Sequence, residues 1–223
     1  LENNMVVVIG GGHAGIEAAF AVSRLGLSCR LITADKTSIG RLSCNPAIGG
    51  LAKTHLVKEI DALGGIMGFA ADACSLQYKT LNKTKGRAVW SVRAQVDKKK
   101  YPRFIQNKIK KNNLIKVVEN EVVGLDIKNK KIVGVFLSDN KKIVCSSIVV
   151  ACGTFVNGLI HTGKNTFSAG RFGEKNVQDI SFHLKKAGHS SLRLKTGTPP
   201  RVSLKTIDLS LCEVSLGDSD FFP

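Results

Sequence analysis

The first apolar segment is an unbroken run, Met5-Val6-Val7-Val8-Ile9, that passes directly into glycines. A β-branched run without polar alternation is the pattern of a parallel strand covered on both faces. Helical spacing follows. Ile16 to Leu25 carries Ala18, Ala19, Phe20, Ala21, Val22 and Leu25, small enough to pack closely on a sheet, and Gly26 ends it. Cys29 to Thr33 predicts a second strand. Strand, helix and strand in so short a stretch form a βαβ unit with a right-handed crossover.

The pattern then loosens. Residues 34–50 are rich in Gly, Ser, Asn and Pro and predict a long loop. Leu51 to Leu63 predicts an amphipathic helix, with Leu51, Leu56, Ile60 and Leu63 on one face and Gly64-Gly65 as its stop. Lys79 to Lys116 is basic and mixed, with a helix predicted over Tyr101–Lys111 and Pro102 in its first turn. Three strands, Ile115–Asp126, Lys131–Leu137 and Lys141–Cys145, predict a β-meander, and Ser147–Ala151 another buried strand running into Cys152-Gly153-Thr154. The chain is Gly- and Ser-rich from Asn157 to Gly173. A helix is predicted over Val177–Ala187, and residues 195–201 form a turn or domain-crossing loop. There is no internal repeat.

Composition changes this picture in two places. Lys and Arg number 33 against 17 Asp and Glu, a formal charge of +16. That excess suits a polyanionic partner, nucleic acid before an anionic membrane, and equally suits a general lysine bias. Thirteen of the cations and a single acid, Asp97, fall between Lys79 and Lys116, with Tyr78, Trp90 and Tyr101 in or beside them. Lys98, Lys99, Lys100 and Arg103 are the candidate nucleic-acid contacts, with a solvated helix face as the plain alternative. The six cysteines form no C-x-x-C pair, so no metal site is expected, and Cys29, Cys145 and Cys152 fit a core in a reducing cytoplasm. Met5–Ile9 is too short for a membrane span.

Gly10-Gly11-Gly12-His13-Ala14-Gly15 follows a strand and opens a helix, the context in which G-x-G-x-x-G binds a dinucleotide. Gly10 permits the turn, Gly12 the approach of a pyrophosphate, and Gly15 close packing of helix on strand. The carboxylate expected at the end of the second strand is replaced by Thr33. Asp35, two residues on, is either a substitute or an exposed loop charge. The meander and the returning strand end Ala-Cys-Gly-Thr favour FAD over NAD, with Gly153 and Thr154 beside it. Ser43-Cys44-Asn45-Pro46 places a cysteine in a constrained loop before a helix. Cys44 is either a nucleophile activated by a helix dipole or cation, or an inert loop thiol.

Gly-Gly-Gly-His-Ala-Gly (10–15), Ser-Cys-Asn-Pro-Ala-Ile-Gly-Gly (43–50), Leu-Val-Lys-Glu-Ile-Asp-Ala-Leu-Gly-Gly (56–65) and Leu-Lys-Thr-Gly-Thr-Pro-Pro-Arg (194–201) together closely resemble the GidA/MnmG family of flavoproteins. These carry out tRNA wobble-uridine carboxymethylaminomethyl modification. The resemblance implies an α/β, FAD/NAD(P)-binding Rossmann-like fold with a parallel sheet and a β-meander, truncated. Residues 1–198 would be an incomplete FAD-binding domain and 199–223 the start of an inserted NADH-binding domain. It implies FAD at Gly10–Gly15 with Val122 as a backbone contact on the adenine side, and Thr33 as the usual family residue. A one-carbon unit from methylene-tetrahydrofolate would pass through the flavin to uridine C5. NADH would be the reductant, and glycine or ammonium the amine. Cys44 matches a functional cysteine of the family. The implied partners are tRNA, the GTPase MnmE and a second copy in a homodimer, in the cytoplasm. The alternatives are a generic FAD oxidoreductase, though a disulfide reductase would want a redox cysteine pair, and a non-catalytic remnant that binds FAD or RNA.

Overall fold

The computed structural model describes residues 4–197 and 202–219. In chain order the elements are β1 (Val6–Ile9), α1 (His13–Arg24), β2 (Cys29–Thr33), β3 (Ala47–Gly49), α2 (Thr54–Ala62), α3 (Met67–Cys74), β4 (Ser75–Leu81), β5 (Ser91–Val96), α4 (Lys100–Lys110), β6 (Ile115–Glu119), β7 (Val122–Lys128), β8 (Lys131–Leu137), β9 (Lys142–Val144), β10 (Ser147–Val150), β11 (Leu159–Thr162), β12 (Asn165–Ser168) and α5 (Asp179–Lys186).

The central sheet has the order β10-β1-β2-β6, and every pairing in it is parallel. The unbroken apolar run of β1 has a direct cause. Val6 and Val8 face one core with Ile16, Ala19, Leu31, Tyr101 and Ile105. Val7 and Ile9 face a second core with Ile32, Val122, Leu125, Val135 and Ile180. Each fully buried valine contributes about 1.5–3 kcal/mol of apolar burial, so the strand tolerates a polar residue on neither face. The βαβ unit, the meander β7-β8-β9 and the returning strand β10 all lie where the pattern predicts them.

Several expectations are corrected. The predicted strand 115–126 breaks at Asn120-Glu121. Its first half completes the parallel sheet beside β2, and its second half opens the meander. Val117-Val118 and Val122-Val123 on either side make the stretch look like one strand, but the parallel ladder with β2 ends with the bond from Asn120 N–H to the Thr33 carbonyl at 2.9 Å, and β7 pairs elsewhere. The predicted loop 34–50 contains a 3-10 turn at Lys36–Ser38 and the strand β3. The basic stretch takes in the end of β4 and all of β5, which with β3 form a second, antiparallel sheet β3-β5-β4 that was not predicted. Helix α3 was not anticipated, and β11 and β12 pair as a hairpin within the Gly- and Ser-rich region.

The amphipathic face of α2 is also revised. Leu51, Leu56 and Leu63 are exposed, and Thr54 is its buried residue, donating to the Val92 carbonyl at 2.6 Å. The stop is as predicted, with Gly64 at φ +81°. Glu17 of α1 caps the start of α3, accepting from Ile66 N–H at 3.1 Å and Met67 N–H at 2.7 Å. A β-carbon on Gly65 would meet that carboxylate. The predicted turn at residues 195–201 lies partly outside the described residues, as does the proposed boundary at 198–199. Among the described residues no helix is long and apolar enough to cross a membrane.

Candidate functional site

The glycine loop joins β1 to α1 at the carboxyl edge of the parallel sheet, where the ends of β2, β6 and β10 also emerge. Its three signature glycines are constrained in different ways. Gly10 sits at φ +112°, and a β-carbon there would lie 2.4 Å from the Ala151 carbonyl oxygen. A β-carbon on Gly15 would lie 1.9 Å from the Gly10 carbonyl oxygen. Gly12 differs, because nothing lies within 4 Å of where its β-carbon would be. Gly10 and Gly15 are therefore required by the protein itself, whereas Gly12 borders open space. Helix α1 starts there with Gly12 as its cap residue, no side-chain cap and no acid in its first turn. Its free N–H groups and positive dipole end thus meet that space unneutralised, a setting that attracts an anion.

The other expected cofactor residues gather around this opening. Gly11 packs on Thr33, whose hydroxyl donates to the Asp35 carbonyl at 3.2 Å. Ala14 is exposed on the first turn of α1. Val122 is buried at the start of β7, just after the chain crosses the end of β2. Gly153, at φ +59°, and Thr154 follow β10 beside Gly10. The Asp35 carboxylate takes the Thr37 N–H at 2.8 Å and pairs with Arg41, so it serves as a local turn cap. Thr37 chiefly holds its pKa below the usual carboxylate range. The strand-end acid nearest the expected place is Glu119 of β6, in register with Thr33 and bound to Lys36 N–H at 3.1 Å. Sequence reasoning missed it because it belongs to a neighbouring strand.

Two arginines were also missed. Gly40 N–H bonds the Gly11 carbonyl at 3.2 Å, which sets Arg41 at the rim of the glycine loop. Arg41 pairs with Glu174 at 2.7 Å, while Arg171 lies over the Phe155 ring, 5.1 Å from its centroid. A cation in a glycine-rich loop was the only available signal.

His13 packs edge-on to Tyr101, with ring centroids 5.8 Å apart. Burial, with Arg171 adding to it, lowers the His13 pKa below 6.5, so the ring is neutral in the fold. The unfolded chain takes the proton first. Stability from this residue is therefore complete above about pH 6.5 and declines as pH falls from there toward the folded pKa. Urea unfolding of the wild type should show a steeper loss between pH 7 and 5 than that of His13→Gln. Parallel curves would remove His13 as the source.

Tyr101 also ties the glycine loop to the basic cluster. It is buried, and Lys98, Lys99, Lys100 and Arg103 surround it in sequence, all exposed. None of the four has an acid partner among the described residues. Asp97 spends its carboxylate on the N–H groups of Lys99 at 2.8 Å and Lys100 at 2.9 Å.

Cys44 is exposed, four residues beyond Gly40, and so at most about 14 Å along the chain from the loop's contact with Gly11. On its other side, Val96 N–H bonds the Pro46 carbonyl at 2.8 Å, next to Asp97 and Lys98. The Cys44 loop therefore bridges the glycine cradle and the basic cluster. The helix expected directly after it is displaced by β3 and begins at Thr54. Cys29 and Cys145 are buried as expected, Cys74 is buried too, and Cys152 is half-buried. Burial pushes the Cys29 and Cys152 thiols up to about 11.

Comparison with known proteins converges on one family. The family model described as "Glucose inhibited division protein A" matches residues 5–222. The tRNA uridine 5-carboxymethylaminomethyl modification enzyme MnmG of Chlorobium phaeobacteroides is 44% identical over 216 residues, 96% of this chain and 35% of that protein. The protein of the same description from a Sulfurihydrogenibium species is 47% identical, with the same coverage. Aquifex aeolicus GidA in its form I crystal superposes with a TM-score of 0.91 at 44% identity, over 97% of this chain and 36% of that one. A GidA-related protein from Thermus thermophilus shares the fold, at a TM-score of 0.57 and 17% identity, over 82% of this chain and 68% of that one. The chain thus spans about a third of the length of its MnmG relatives. With the family model matched over nearly its whole length, the chain belongs to the glucose-inhibited division protein A family.

Proposed function

We propose that this chain is the FAD-binding and tRNA-binding portion of an enzyme that modifies the wobble uridine of tRNA. One observation carries the reading. The open space at Gly12, bordered by an uncapped helix start, lies beside a loop that bears an exposed cysteine and leads to a basic cluster whose neighbouring acid, Asp97, is bound to backbone N–H groups. The backbone N–H groups of Gly11, Gly12 and the first turn of α1 hold the pyrophosphate. Thr33, Val122, Gly153 and Thr154 frame the rest of the cofactor. When bound, FAD supplies the redox and one-carbon carrier chemistry. Lys98, Lys99, Lys100 and Arg103 neutralise tRNA phosphates. Cys44 supplies a nucleophile toward an electrophilic carbon of the substrate.

NADH as reductant, methylene-tetrahydrofolate as one-carbon donor, the MnmE GTPase, a homodimer and a cytoplasmic setting belong to the same reading. They rest on the family resemblance. So does the division of the chain into an FAD-binding part up to residue 198 and the start of an NADH-binding insertion after it.

Cysteine accessibility tests the site. Iodoacetamide at pH 8 should label Cys44 and Cys212, the two exposed thiols, and spare Cys29 and Cys152. With pKa values of about 11, those two are thiolate at only roughly one part in a thousand at that pH. FAD together with tRNA should slow labelling of Cys44 several-fold and leave Cys212 unchanged, read by peptide mass spectrometry. Equal labelling of Cys44 with and without both ligands would remove it from the site.

A further inference from the structure

Three aromatics, Tyr78, Trp90 and Tyr101, lie in or beside the basic tract, and the fold separates them. Tyr101 is 1% exposed and belongs to the core. Tyr78 lies in β4 with its hydroxyl donating to Asp72 at 2.6 Å, and burial helps push its pKa up to about 12. Trp90 alone of the three stands out from the fold, 43% exposed, beside Val89 at 46%.

Trp90 closes the tip of the β4–β5 hairpin, residues 82–90. The tip is shaped by Asn82 and Gly86, at φ +61° and +94°, and is held by the bond from the indole N–H to the Lys83 carbonyl at 3.2 Å. The Arg87 guanidinium lies over the indole, 5.6 Å from the ring centroid. Between Lys79 and Val96 there are five cations and no acid. Lys83 is engaged by Asp218 at 2.8 Å. Lys85 and Arg87 have no acid partner among the described residues. The tip lies at the opposite end of β5 from Asp97 and Lys98. Seven residues of extended chain separate Trp90 from Asp97, about 23 Å.

We propose that this hairpin tip is a second RNA contact, at which Trp90 stacks an unpaired base while Lys85 and Arg87 neutralise the adjoining phosphates. A flat aromatic surface paired with unneutralised cations is the chemistry of single-stranded nucleic-acid binding. A paired duplex hides its base faces and would use only the cations. The tip thus prefers a loop to a stem, while the cluster at Lys98–Arg103 requires only phosphate. This deepens the tRNA reading and rests on it.

Trp90 is the chain's single tryptophan, so its emission reports the contact without a label. The full chain is titrated with a 17-nucleotide RNA stem–loop carrying a seven-nucleotide loop, and separately with a blunt RNA duplex of matched charge. Anisotropy of end-labelled RNA measures binding independently. The stem–loop should quench Trp90 saturably. Trp90→Ala should weaken stem–loop binding about 5- to 100-fold, Trp90→Phe should weaken it less, and duplex affinity should hold in both. Stem–loop binding by anisotropy with unchanged Trp90 emission, and equal affinity for Trp90→Ala, would overturn the tip contact and leave the tRNA reading standing. Absence of RNA binding by the wild type at low salt would remove both. A lower sedimentation mass for Trp90→Ala with unchanged RNA affinity would also overturn it, assigning the tip to a protein contact.

Discussion

Gly12→Val is expected to yield a folded chain that no longer retains FAD. The opening around Gly12 is what makes this separation available. No protein atom lies within 4 Å of the place its β-carbon would take, so the isopropyl group meets the ligand before it meets the fold. The cost to the protein is the exchange of a tolerated N-cap residue for a poor one, on the order of 1 kcal/mol, or about 2–4 °C in Tm for a chain of this size. The cost to the ligand is steric, at the point where the pyrophosphate approaches the backbone most closely, and FAD affinity should fall at least about tenfold.

Gly15→Ala is the contrasting variant. Its methyl group would sit 1.9 Å from the Gly10 carbonyl oxygen, which is backbone on both sides and has nowhere to move. That variant should lose the fold and the cofactor together. Circular dichroism melts and flavin absorbance after gel filtration distinguish the two patterns. Stoichiometric FAD on Gly12→Val would end the assignment of this loop to the pyrophosphate. Equal loss of stability in both variants would show that Gly12 serves packing after all.

The contrast also shows what a linear pattern can and cannot carry. The motif names three glycines but not which of them serve the protein and which the ligand, because that depends on Ala151 and Gly10 carbonyls brought in by folding. The βαβ unit was legible because burial on both faces forces an unbroken apolar strand, as Val6 through Ile9 show. The small sheet β3-β5-β4 was not legible. Its strands β4 and β5 each carry a single cation, Lys79 and Arg93, among Ser, Gln and Thr, and so few strongly apolar residues mark them as strands. The split at Asn120-Glu121 was hidden because a valine pair stands on each side of it, Val117-Val118 and Val122-Val123, and nothing in the sequence shows that the two pairs join different sheets. Cys44 was identified from its loop, but its rationale changed. The helix thought to follow it is preceded by β3, and its neighbours are instead the glycine loop and the Lys98 cluster. That neighbourhood could not be read from spacing, because Pro46 and Val96 lie fifty residues apart in the chain. Trp90 and Tyr101 looked alike in sequence and are opposite in the fold, one at a hairpin tip and one in the core.

Charge reversal at Lys98, Lys99 and Arg103 should weaken tRNA binding while it stabilises the fold. Lys99 is the cap residue of α4, Lys98 precedes it, and Lys100 opens the first turn. Cations there oppose the positive end of the helix dipole, whereas a carboxylate in the same place contributes about 0.3–1 kcal/mol. Asp97 offsets part of the conflict through its bonds to the Lys99 and Lys100 N–H groups. A cluster kept for stability would not be built this way. In Lys98→Glu/Lys99→Glu/Arg103→Glu the helix start is relieved, and Tm should rise by a degree or more. The phosphate contacts are lost at the same time. If all three residues bind phosphate, the slope of log affinity against log salt should become shallower by roughly 0.7–0.9 for each, or about 2–3 in all. The opposite signs make the measurement decisive. A surface that was merely solvated would gain the same stability with no change in affinity or salt dependence, and a structural cluster would lose stability. A surface shaped by an anionic partner is the one expected to hold cations where the helix disfavours them and to bind RNA less once they are replaced by acids.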